Sequence, residues 1–578
     1  MTMSTKLSPS TTRSEPDSVS DNYLFKITRA ISRLLMQDDP ARQRSSGARN
    51  SPPAWWLVAR IHLGALVSQP MAYLLAVWWR VSGKRVRSRA RLAPLLGNSS
   101  HAYRLWLLRE PALAQGKQAD EALVKLVALV DLSDESGSVT SLADTLQSLA
   151  CEGIPALVIG SSAVPDAATA AVLIDASPDV WLMPVAAGDV LRPGAAAQYR
   201  ASASAGRELI YADDDVFLAG KRTSPHFKPD WNAELFKSHD FLTYACIIRA
   251  SACNMAEYSG RQWASQLVES MVAATSIPHH IPSVLHHRRV RPAPRIPAAI
   301  ARSSSDLPTM TVIVPTRNRH DLLHTCIEGL QNTDYPCLDI IVIDNASDDP
   351  ETLAYLDALP PPVRVLRHPG PFNFAAMNNR AAEQASGQLL CLLNNDIEVM
   401  EPQWLRTMVQ QALREDVGAV GAQLLYSDGR IQHAGVVTGV GGAAAHAHRL
   451  LRPEDEGYFR RHALPQYVAA VTAACLVVKR ERFTAVGGFD EINFAVAFND
   501  VDLCLRLNRR GWQSLYEPRA QLLHHESVSR GLDRDPVGAA RLAAEIESLK
   551  TAWRTDENHD PFHHPELSRF SERFVVQL

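Results

Sequence analysis

The chain has 578 residues, 46% of them hydrophobic and 21% charged, a composition that excludes collagen, coiled coils and wholesale disorder. The formal net charge of -3 gives no global basic field, which argues against nucleic-acid binding through bulk electrostatics. The eight cysteines form no C-x-x-C pair and are too few for a disulfide scaffold, so a reducing, cytoplasmic compartment fits best. At about 150 residues per domain, the length suggests three or four domains.

The N-terminal part divides into two segments. Residues 1–50 are rich in Ser, Thr, Arg and Asp, so we expect disorder there, and no signal peptide is visible. We expect residues 51–120 to form a helical, membrane-proximal segment. Within it, residues 61–79 carry no Asp, Glu, Lys or Arg, tryptophan pairs flank them, and a basic cluster follows at 80–91. Three interpretations stay open, namely a helix at the membrane interface, a transmembrane span, and a buried or partner-binding helix.

Residues 121–290 show an α/β pattern, with Ala-rich helical stretches between short apolar runs. The runs that look like strands are Leu123–Val130, Leu157–Ile159, Val180–Met183 and Glu208–Tyr211. Asp213, Asp214 and Asp215 come directly after the last of these runs, which invites interpretation as a metal site. Residues 291–309 are rich in Pro, Ala and Ser and are typical of a linker.

A second α/β module is predicted over residues 310–535, and a helical tail over residues 536–578. The predicted strands are Met310–Val314, Asp339–Ile343, Val363–Leu366 and Leu389–Leu393. A helix is predicted from Phe374 to Ser386, with Gly387 as its C-terminal cap. Alternating strands and helices predict a mainly parallel sheet with helices on both faces.

Polar clusters follow three of these strands, with the sequences PTRNR (315–319), DNASDD (344–349) and NND (394–396). Ligands bind at the carboxyl ends of strands in such sheets, so these clusters should lie at one edge. Any one cluster alone is explained by helix capping. All three in this order favour a site in which carboxylates bind a nucleoside, or hold a divalent cation that neutralises a diphosphate.

These segments resemble the nucleotide-sugar half of family 2 glycosyltransferases. The resemblance rests on TVIVPTRNR (311–319), IIVIDNASDD (340–349) and LLCLLNNDIEV (389–399), and continues in GGFDE (487–491), AFNDVDLCLRLNRRGW (497–512) and HHESVSRG (524–531). It looks closest to the rhamnosyltransferase-like members that build bacterial surface polysaccharides, which the loop QHAGVVTGVGGAAAHAHR (432–449) also resembles. The resemblance implies the GT-A (nucleotide-diphospho-sugar transferase) fold.

Residues 208–249 and 280–289 are similar to a segment found upstream in two-module members of the family. The expected D-x-D place of this first module reads VAAGD (185–189), where most carboxylates are missing. We therefore expect a degenerate GT-A-like module that docks the catalytic unit or holds the acceptor glycan, with a second active transferase as the alternative.

The resemblance also implies residue roles. Pro315, Thr316 and Arg317 would line the nucleotide pocket, and Asp344 would accept a hydrogen bond from the base. Asn394-Asn395-Asp396 takes the place of the metal-binding D-x-D, so Asp396 would supply the main carboxylate to Mg²⁺ or Mn²⁺.

Two further sites come from the second half of the motif set. His524 or His525 would add a metal or diphosphate contact. Asn499-Asp500 takes the place of the family's E-D pair, which would make Asp500 the general base, although Asp500 also suits the N-terminus of a helix. His446 and His448 lie in a Gly/Ala-rich loop, a composition that suggests a mobile lid.

We therefore predict an inverting, metal-dependent glycosyltransferase. It would move a sugar from a nucleotide-diphosphate donor to a growing, lipid-linked bacterial surface glycan, without nucleic-acid partners. The hydrophobic and basic segment fits a peripheral position on an anionic membrane surface, at the inner face of the cell membrane. A sugar-phosphate nucleotidyltransferase and a non-catalytic glycan-binding or scaffold subunit stay as alternatives, the latter because Asn394 and Asn499 replace expected carboxylates.

Overall fold

The computed structural model describes residues 55–113, 124–132, 139–174, 180–204, 206–252, 255–258, 260–274, 277–298, 307–336, 338–525 and 535–578. Residues 1–50, for which disorder was expected, lie outside these described residues. So do the middle of the linker and the end of the HHESVSRG motif. The chain divides into two compact units, one reaching to Arg109 and including Leu578, the other spanning Glu110–Gln577.

The described part of the first unit is helical. Its helices are α1 (Trp55–Ser68), α2 (Pro70–Val81), α3 (Arg85–Gly97) and α4 (Ala102–Leu107). The apolar stretch 61–79 is therefore two helices rather than one. Pro70 begins α2, where its missing N–H costs no helical hydrogen bond. Among the described helices, none has both the length and the apolar character needed to cross a membrane.

The second unit contains two α/β modules. The described strands of the first module are β1 (Lys125–Asp131), β2 (Ala156–Ile159), β3 (Val180–Ala186), β4 (Val190–Leu191), β5 (Leu209–Leu218), β6 (Lys221–His226), β7 (Cys246–Arg249) and β8 (His279–Arg288). Its described helices are α5 (Val139–Cys151), α6 (Ala167–Leu173), α7 (Ala195–Ser202), α8 (Ala233–Ser238) and α9 (Trp263–Ala274). The strands follow the order β2-β1-β3-β7-β5-β8-β4, and β6 pairs with β5.

The three consecutive aspartates of the first module lie inside β5, not after a strand as the sequence suggested. All three are buried, and each has a cationic or imidazole partner. Asp214 Oδ2 lies 2.8 Å from Lys228 Nζ, and Asp215 Oδ1 lies 2.7 Å from His287 Nδ1. Buried charges are tolerated when they are paired in this way.

The second module is larger. Its described strands are β9 (Met310–Thr316), β10 (Leu338–Asp344), β11 (Val363–Arg367), β12 (Leu389–Leu393), β13 (Ile397–Val399), β14 (Val417–Leu425), β15 (Ile431–His433), β16 (Val436–Thr438), β17 (Ala444–His446), β18 (Gln466–Val468), β19 (Cys475–Lys479) and β20 (Gln513–His524). Its described helices are α10 (His320–Gln331), α11 (Pro350–Ala358), α12 (Phe374–Glu383), α13 (Trp404–Ala412), α14 (Arg480–Ala485), α15 (Asn499–Arg509) and α16 (Pro536–Trp553).

The second sheet is mixed. Its order is β11-β10-β9-β12-β19-β14-β20-β13, with β15 on β14 and β18 on β20, while β16 and β17 form a separate hairpin. Strands β11, β10, β9 and β12 run parallel, as predicted, but β19 is antiparallel to both of its neighbours, β12 and β14. The α/β class and the two sheet-and-helix modules are confirmed, whereas the sheet is less parallel than predicted.

Alternation along β9 explains why the sheet is covered on both faces. Val312 and Val314 pack into the core on one face, and Ile313 packs into the core on the other. Every residue of β9 is buried, which is typical of a central strand between two helical layers. The carboxyl ends of β9 and β12 therefore come to one edge of the sheet, next to each other.

The Gly/Ala-rich loop forms the β16–β17 hairpin and is bound to the C-terminal tail. Asp560 Oδ2 accepts the Thr438 N–H at 2.7 Å, and the Arg569 carbonyl accepts the Gly441 N–H at 2.8 Å. His448 is 1% exposed and stacks on Phe574 with ring centroids 4.5 Å apart. Of the two loop histidines, His448 is therefore a core residue.

Gly387 has a different role from the cap that the sequence predicted. Helix α12 ends at Glu383, with Gln384 as its C-cap. A Cβ on Gly387 would lie 2.8 Å from the Leu389 carbonyl oxygen and would also overlap the backbone of Thr311. Glycine at this position lets the chain pass against the start of β9 before β12 begins.

Candidate functional site

A cavity of about 850 Å³, here called the main cavity, opens at the carboxyl ends of β9 and β12. Residues 315–319 form one wall and residues 394–396 form the next, so two of the three predicted polar clusters meet there. The hairpin β16–β17, residues 472–474 and the start of α15 complete it. The main cavity lies where parallel strands of an α/β sheet usually bind ligands.

Asp396 and His524 lie together on the wall of the main cavity. Asp396 directly precedes β13, His524 ends β20, and these strands pair so that Ile397 is opposite His524. This pairing brings Asp396 Oδ1 to 3.0 Å from His524 Nε2. Asn394 Nδ2 lies 3.3 Å from the same imidazole nitrogen.

The hydrogen bonds of His524 define which nitrogen carries its proton. The amide oxygen of Gln432 accepts from Nδ1 at 2.7 Å, so Nε2 of the neutral ring carries a lone pair. That lone pair lies beside Asp396 Oδ1, a buried carboxylate oxygen with no hydrogen-bond partner among the described residues. Two electron-rich atoms so close together need a cation near them, either a proton or a metal ion. An imidazole nitrogen with a carboxylate oxygen is a donor set that Mn²⁺ accepts, and Mg²⁺ uses the carboxylate, so these residues fit a divalent cation.

Asp500 lies at the start of α15 and also lines the main cavity. Its Oδ2 accepts the Ala473 N–H at 3.1 Å, and its Oδ1 accepts the Val501 N–H at 2.8 Å. The carbonyl of the adjacent Ala474 accepts the Asn394 N–H at 3.0 Å. The segment 473–474 therefore ties the carboxylate of Asp500 to the wall that carries Asp396.

The backbone entering α15 is strained. Phe498 adopts a left-handed conformation with φ of 60°, which is uncommon for a residue with a bulky side chain. Phe498 itself lines the main cavity. Strained residues of this kind persist only where the surrounding structure over-determines them, and they cluster at functional sites. Neighbouring Asn499 donates to the Val496 carbonyl at 2.9 Å, a contact that supports this turn.

The residues predicted to bind the donor lie largely on the main cavity. Pro315, Thr316, Arg317, Asn394 and Asn395 all line it. Asn395 Nδ2 donates to Thr316 Oγ1 at 3.0 Å, which links the two polar clusters directly.

Asp344 and His525 are not among the described residues that line the main cavity. Asp344 is 2% exposed, and its carboxylate accepts from Arg367 Nη1 at 2.7 Å and from the Ser347 N–H at 3.0 Å. His525 Nε2 lies 2.9 Å from Glu398 Oε2. The sequence left the choice between His524 and His525 open, and the geometry favours His524.

Two basic groups on the main cavity received no individual binding role from the sequence, although the loop that carries His446 was expected to form a lid. Arg449 lines the cavity and pairs with Glu572 of the tail at 3.1 Å. His446 also lines it, and its Nδ1 lies 2.8 Å from Nδ1 of buried His433. Burial holds the pKa of His433 well below its usual range, so that ring is neutral. The sequence placed Arg449 at the end of the loop 432–449 but gave it no role of its own, because its partner Glu572 lies more than a hundred residues away.

The first module has a counterpart of the Asp396 position. Its strand β4 pairs with β8 so that Val190 is opposite His287, as Ile397 is opposite His524. Asp189 directly precedes β4, yet it is buried, with Arg288 Nε 3.5 Å from its Oδ2. The Arg289 N–H donates to Asp189 Oδ1 at 2.9 Å. A guanidinium of the chain itself thus lies beside this carboxylate.

A second set of buried ligand atoms could hold a metal ion. The candidate ligand atoms of Asp213, His280 and His564 all lie within 4.8 Å of one another. Asp213 Oδ1 lies 3.0 Å from His280 Nε2, and Asp213 Oδ2 lies 2.8 Å from His564 Nε2.

The hydrogen bonds around this set argue for protons rather than a metal. His564 Nδ1 accepts the Glu566 N–H at 3.0 Å, so its Nε2 carries a hydrogen and cannot bind a metal while the ring is neutral. Burial alone would lower the pKa of His280, but the carboxylates of Asp213 and Asp230 raise it. An imidazolium between two carboxylates satisfies this set without a metal ion.

Comparison with known proteins gives a family for the second module. The sequence of residues 311–483 matches the profile described as glycosyl transferase family 2. Over 419 residues the chain is 36% identical to uncharacterized protein y4gI of Sinorhizobium fredii, which covers 64% of this chain and 46% of that protein. It is 35% identical over 430 residues to the O-antigen biosynthesis protein RfbC of Myxococcus xanthus, and this match covers 66% of this chain and 33% of that protein.

A shorter stretch matches a third relative. Over 81 residues the chain is 47% identical to the N-acetylglucosaminyl-diphospho-decaprenol L-rhamnosyltransferase of Mycobacterium tuberculosis, covering 14% of this chain and 25% of that protein. The chain spans less than half the length of the first two relatives.

Proposed function

We propose that this chain is a family 2 glycosyltransferase with a GT-A fold, and that it transfers a sugar with inversion from a nucleotide-diphosphate donor to a glycan hydroxyl. The observation that carries this proposal is the main cavity, where the Asp396–His524 pair and the Asp500 carboxylate lie on connected walls. The Asp396–His524 pair suits a metal ion that binds the leaving diphosphate. The Asp500 carboxylate suits acceptance of the proton from the attacking hydroxyl.

Asp396 and His524 would hold Mg²⁺ or Mn²⁺, which when bound neutralises charge on the departing diphosphate. Gln432 orients His524 for this role through the 2.7 Å contact with Nδ1. Arg317 lies on the same cavity and adds a positive charge on that side. Pro315, Thr316 and Asn395 would line the pocket for the nucleotide.

Asp500 would act as the base. As the acceptor oxygen attacks the anomeric carbon, its proton passes to the Asp500 carboxylate, and the bond between that carbon and the diphosphate oxygen breaks with its electron pair on the leaving group. Each oxygen of Asp500 accepts one backbone N–H and retains a further lone pair for this proton. A single displacement of this kind inverts the anomeric configuration.

We assign the transfer to the second module alone. The counterpart of Asp396 in the first module, Asp189, lies beside Arg288, so a cation of the chain occupies the position where a metal would be needed. The first module would then serve to dock the catalytic module or its acceptor.

The acceptor would be a growing surface glycan. Support comes from the relatives named for O-antigen biosynthesis and for rhamnosyl transfer to a decaprenol-linked sugar. A lipid-linked acceptor would bring the protein to the cytoplasmic face of a membrane.

The first unit suits such a membrane surface. It exposes a set of large apolar side chains, namely Trp55, Trp56, Leu63, Val67, Met71, Leu74, Trp78 and Val81. Basic residues follow directly at 84–91. Each basic residue near an anionic membrane contributes about 1 kcal/mol to the free energy of membrane binding.

We expect the full chain to co-sediment with phosphatidylglycerol vesicles and not with phosphatidylcholine vesicles. We expect replacement of Arg85, Arg87 and Arg91 by Glu to release it. Equal sedimentation with both lipids would contradict electrostatic attachment.

The transfer itself is tested with the purified chain and a panel of nucleotide sugars, by measuring nucleoside diphosphate release with Mn²⁺ or Mg²⁺ and with a chelator. We expect metal-dependent release from one donor, lost in Asp396→Asn and retained in Asp357→Asn, which changes an exposed aspartate outside the main cavity. Saturable donor binding without turnover in the presence of glycan acceptors would favour the scaffold alternative. Nucleotide exchange with pyrophosphate would favour the nucleotidyltransferase.

A further inference from the structure

A second cavity, here called the tail cavity, has a volume of about 250 Å³. It lies between the connection of the β16–β17 hairpin and the tail residues 557–569. The hydrogen bonds of Thr438 to Asp560 and of Gly441 to Arg569 hold the two sides together. Hydrogen bonds between the hairpin and the tail therefore preform its walls.

The tail cavity is close to the main cavity along one strand. Val436 lines the main cavity and Thr438 lines the tail cavity. These residues are two apart on β16, so they point to the same face of the strand, about 7 Å apart. A chain-like ligand that leaves the main cavity along this hairpin would reach the tail cavity within one or two of its units.

The polar groups of the tail cavity suit an uncharged ligand. His563 is 3% exposed, and its Nε2 has no hydrogen-bond partner among the described residues. Burial lowers the pKa of His563 to about 3, so that ring is neutral near pH 7. A neutral imidazole both donates and accepts hydrogen bonds, as a hydroxyl does.

The charged groups of the tail cavity are already engaged, including Glu557, which pairs with Arg554. Asp560 accepts from Thr438 and from the Phe562 N–H, and Arg569 Nη2 donates to the Thr555 carbonyl at 2.9 Å. Val440 and Pro565 add apolar surface that could pack against C–H groups. This mixture fits a polyhydroxylated ring better than a phosphate, which would need cationic donors directed at it.

The size of the tail cavity agrees with this chemistry. Sites for drug-sized ligands have volumes of about 300–1,000 Å³, so a cavity just below that range fits one sugar ring rather than a nucleotide. We propose that the tail cavity binds one sugar unit of the acceptor glycan, beyond the unit whose hydroxyl reacts. This proposal rests on the proposed transferase function for the identity of its ligand.

The binding test uses the full chain and a panel of methyl glycosides of common hexoses, deoxyhexoses and N-acetylhexosamines, observed by saturation-transfer NMR. Asn558 is exposed on the tail cavity, so Asn558→Trp should fill it without disturbing the core. Asp556→Trp adds the same bulk two residues away, at a position that does not line the cavity. We expect the native chain and Asp556→Trp to give a saturation-transfer signal on at least one glycoside. We expect Asn558→Trp to lose that signal.

A second readout separates the subsite from the reaction. In Asn558→Trp we expect donor hydrolysis without acceptor to stay at the native rate, while the KM for a glycan acceptor rises. If no glycoside gives a signal that Asn558→Trp removes, or if Zn²⁺ binds there instead and is lost in His563→Ala, the subsite proposal is wrong even where donor turnover is found. Glycoside binding that obeys the prediction in a chain without any donor turnover would overturn the transferase function and leave the sugar site in place.

Discussion

The role of Asp500 gives the sharpest prediction for the main cavity. Asp500→Asn keeps the size of the side chain and one oxygen that accepts a backbone N–H, but it removes the site that would take the acceptor proton. The two backbone contacts, from Ala473 at 3.1 Å and Val501 at 2.8 Å, anchor the side chain in the native chain. The change therefore alters chemistry more than position.

The expected magnitudes differ widely between activity and stability. A general base contributes about 10²–10⁴-fold to the rate, which corresponds to about 2.7–5.5 kcal/mol of transition-state stabilisation. Asparagine offers one acceptor oxygen where Asp500 accepts two backbone N–H groups, so losing one contact and the charge near a helix N-terminus costs about 1–3 kcal/mol of stability. We therefore expect kcat to fall by two to four orders of magnitude, with donor KM nearly unchanged and the chain still folded.

The matched control is Asp502→Asn, in the same turn of α15. Asp502 lies 2.7 Å from Arg506 Nη2 and accepts from Trp553 Nε1 at 3.0 Å, so its role is structural. Leaving these partners unpaired should cost about 1–3 kcal/mol of stability while kcat stays close to native.

The assay measures nucleoside diphosphate release with acceptor, together with urea denaturation of each variant. Native-like kcat in Asp500→Asn would refute the assignment of the base. An equal loss of kcat in both variants would show that the reaction depends on the structure of the first turn of α15 rather than on the carboxylate of Asp500.

Three further predictions concern the metal pair, the sheet and the response to pH. Gln432→Leu should weaken Mn²⁺ binding by about 10–100-fold, measured by electron paramagnetic resonance titration, because His524 loses the contact that orients it; unchanged affinity would argue against His524 as a ligand. Gly387→Ala should lower the free energy of unfolding by about 1–3 kcal/mol, because its Cβ would overlap the Thr311 backbone; a neutral effect in urea denaturation would contradict the close approach. Burial lowers the pKa of His286 to about 3, so the folded state binds fewer protons than the unfolded state below pH about 6.5. Stability is then lost as pH falls from about 6.5 toward 3, by about 1.4 kcal/mol per pH unit for this ring, and His286→Gln should reduce the slope of unfolding free energy against pH by that amount.

The strands that build the main cavity could be predicted from the sequence because their signals are local. Met310–Thr316 and Leu389–Leu393 are uninterrupted buried runs, and the polar residues that follow them had to reach one edge of the sheet. The family match of residues 311–483 confirms the resemblance drawn from the same motifs.

Other features depended on contacts that no local pattern encodes. Gly387 looks like a helix cap from its position, but the approach of Thr311, far away in the chain, is what requires a glycine. The Asp213–Asp215 run looks like a loop site, but buried partners keep it within β5. The tail gave no functional signal at all, because its contacts are with residues a hundred or more positions earlier, in the hairpin and in the first module.

The second module extends beyond the part of its sequence that the family profile matches. The family profile ends at residue 483, whereas Asp500, His524 and the tail that braces the hairpin all come later. A fragment cut to the profile, or a chimera joined at its border, would keep Asp396 but lose both His524 beside it and Asp500. Any exchange of this domain between proteins, in the laboratory or by recombination, must therefore carry the chain through Phe574 to preserve a working site.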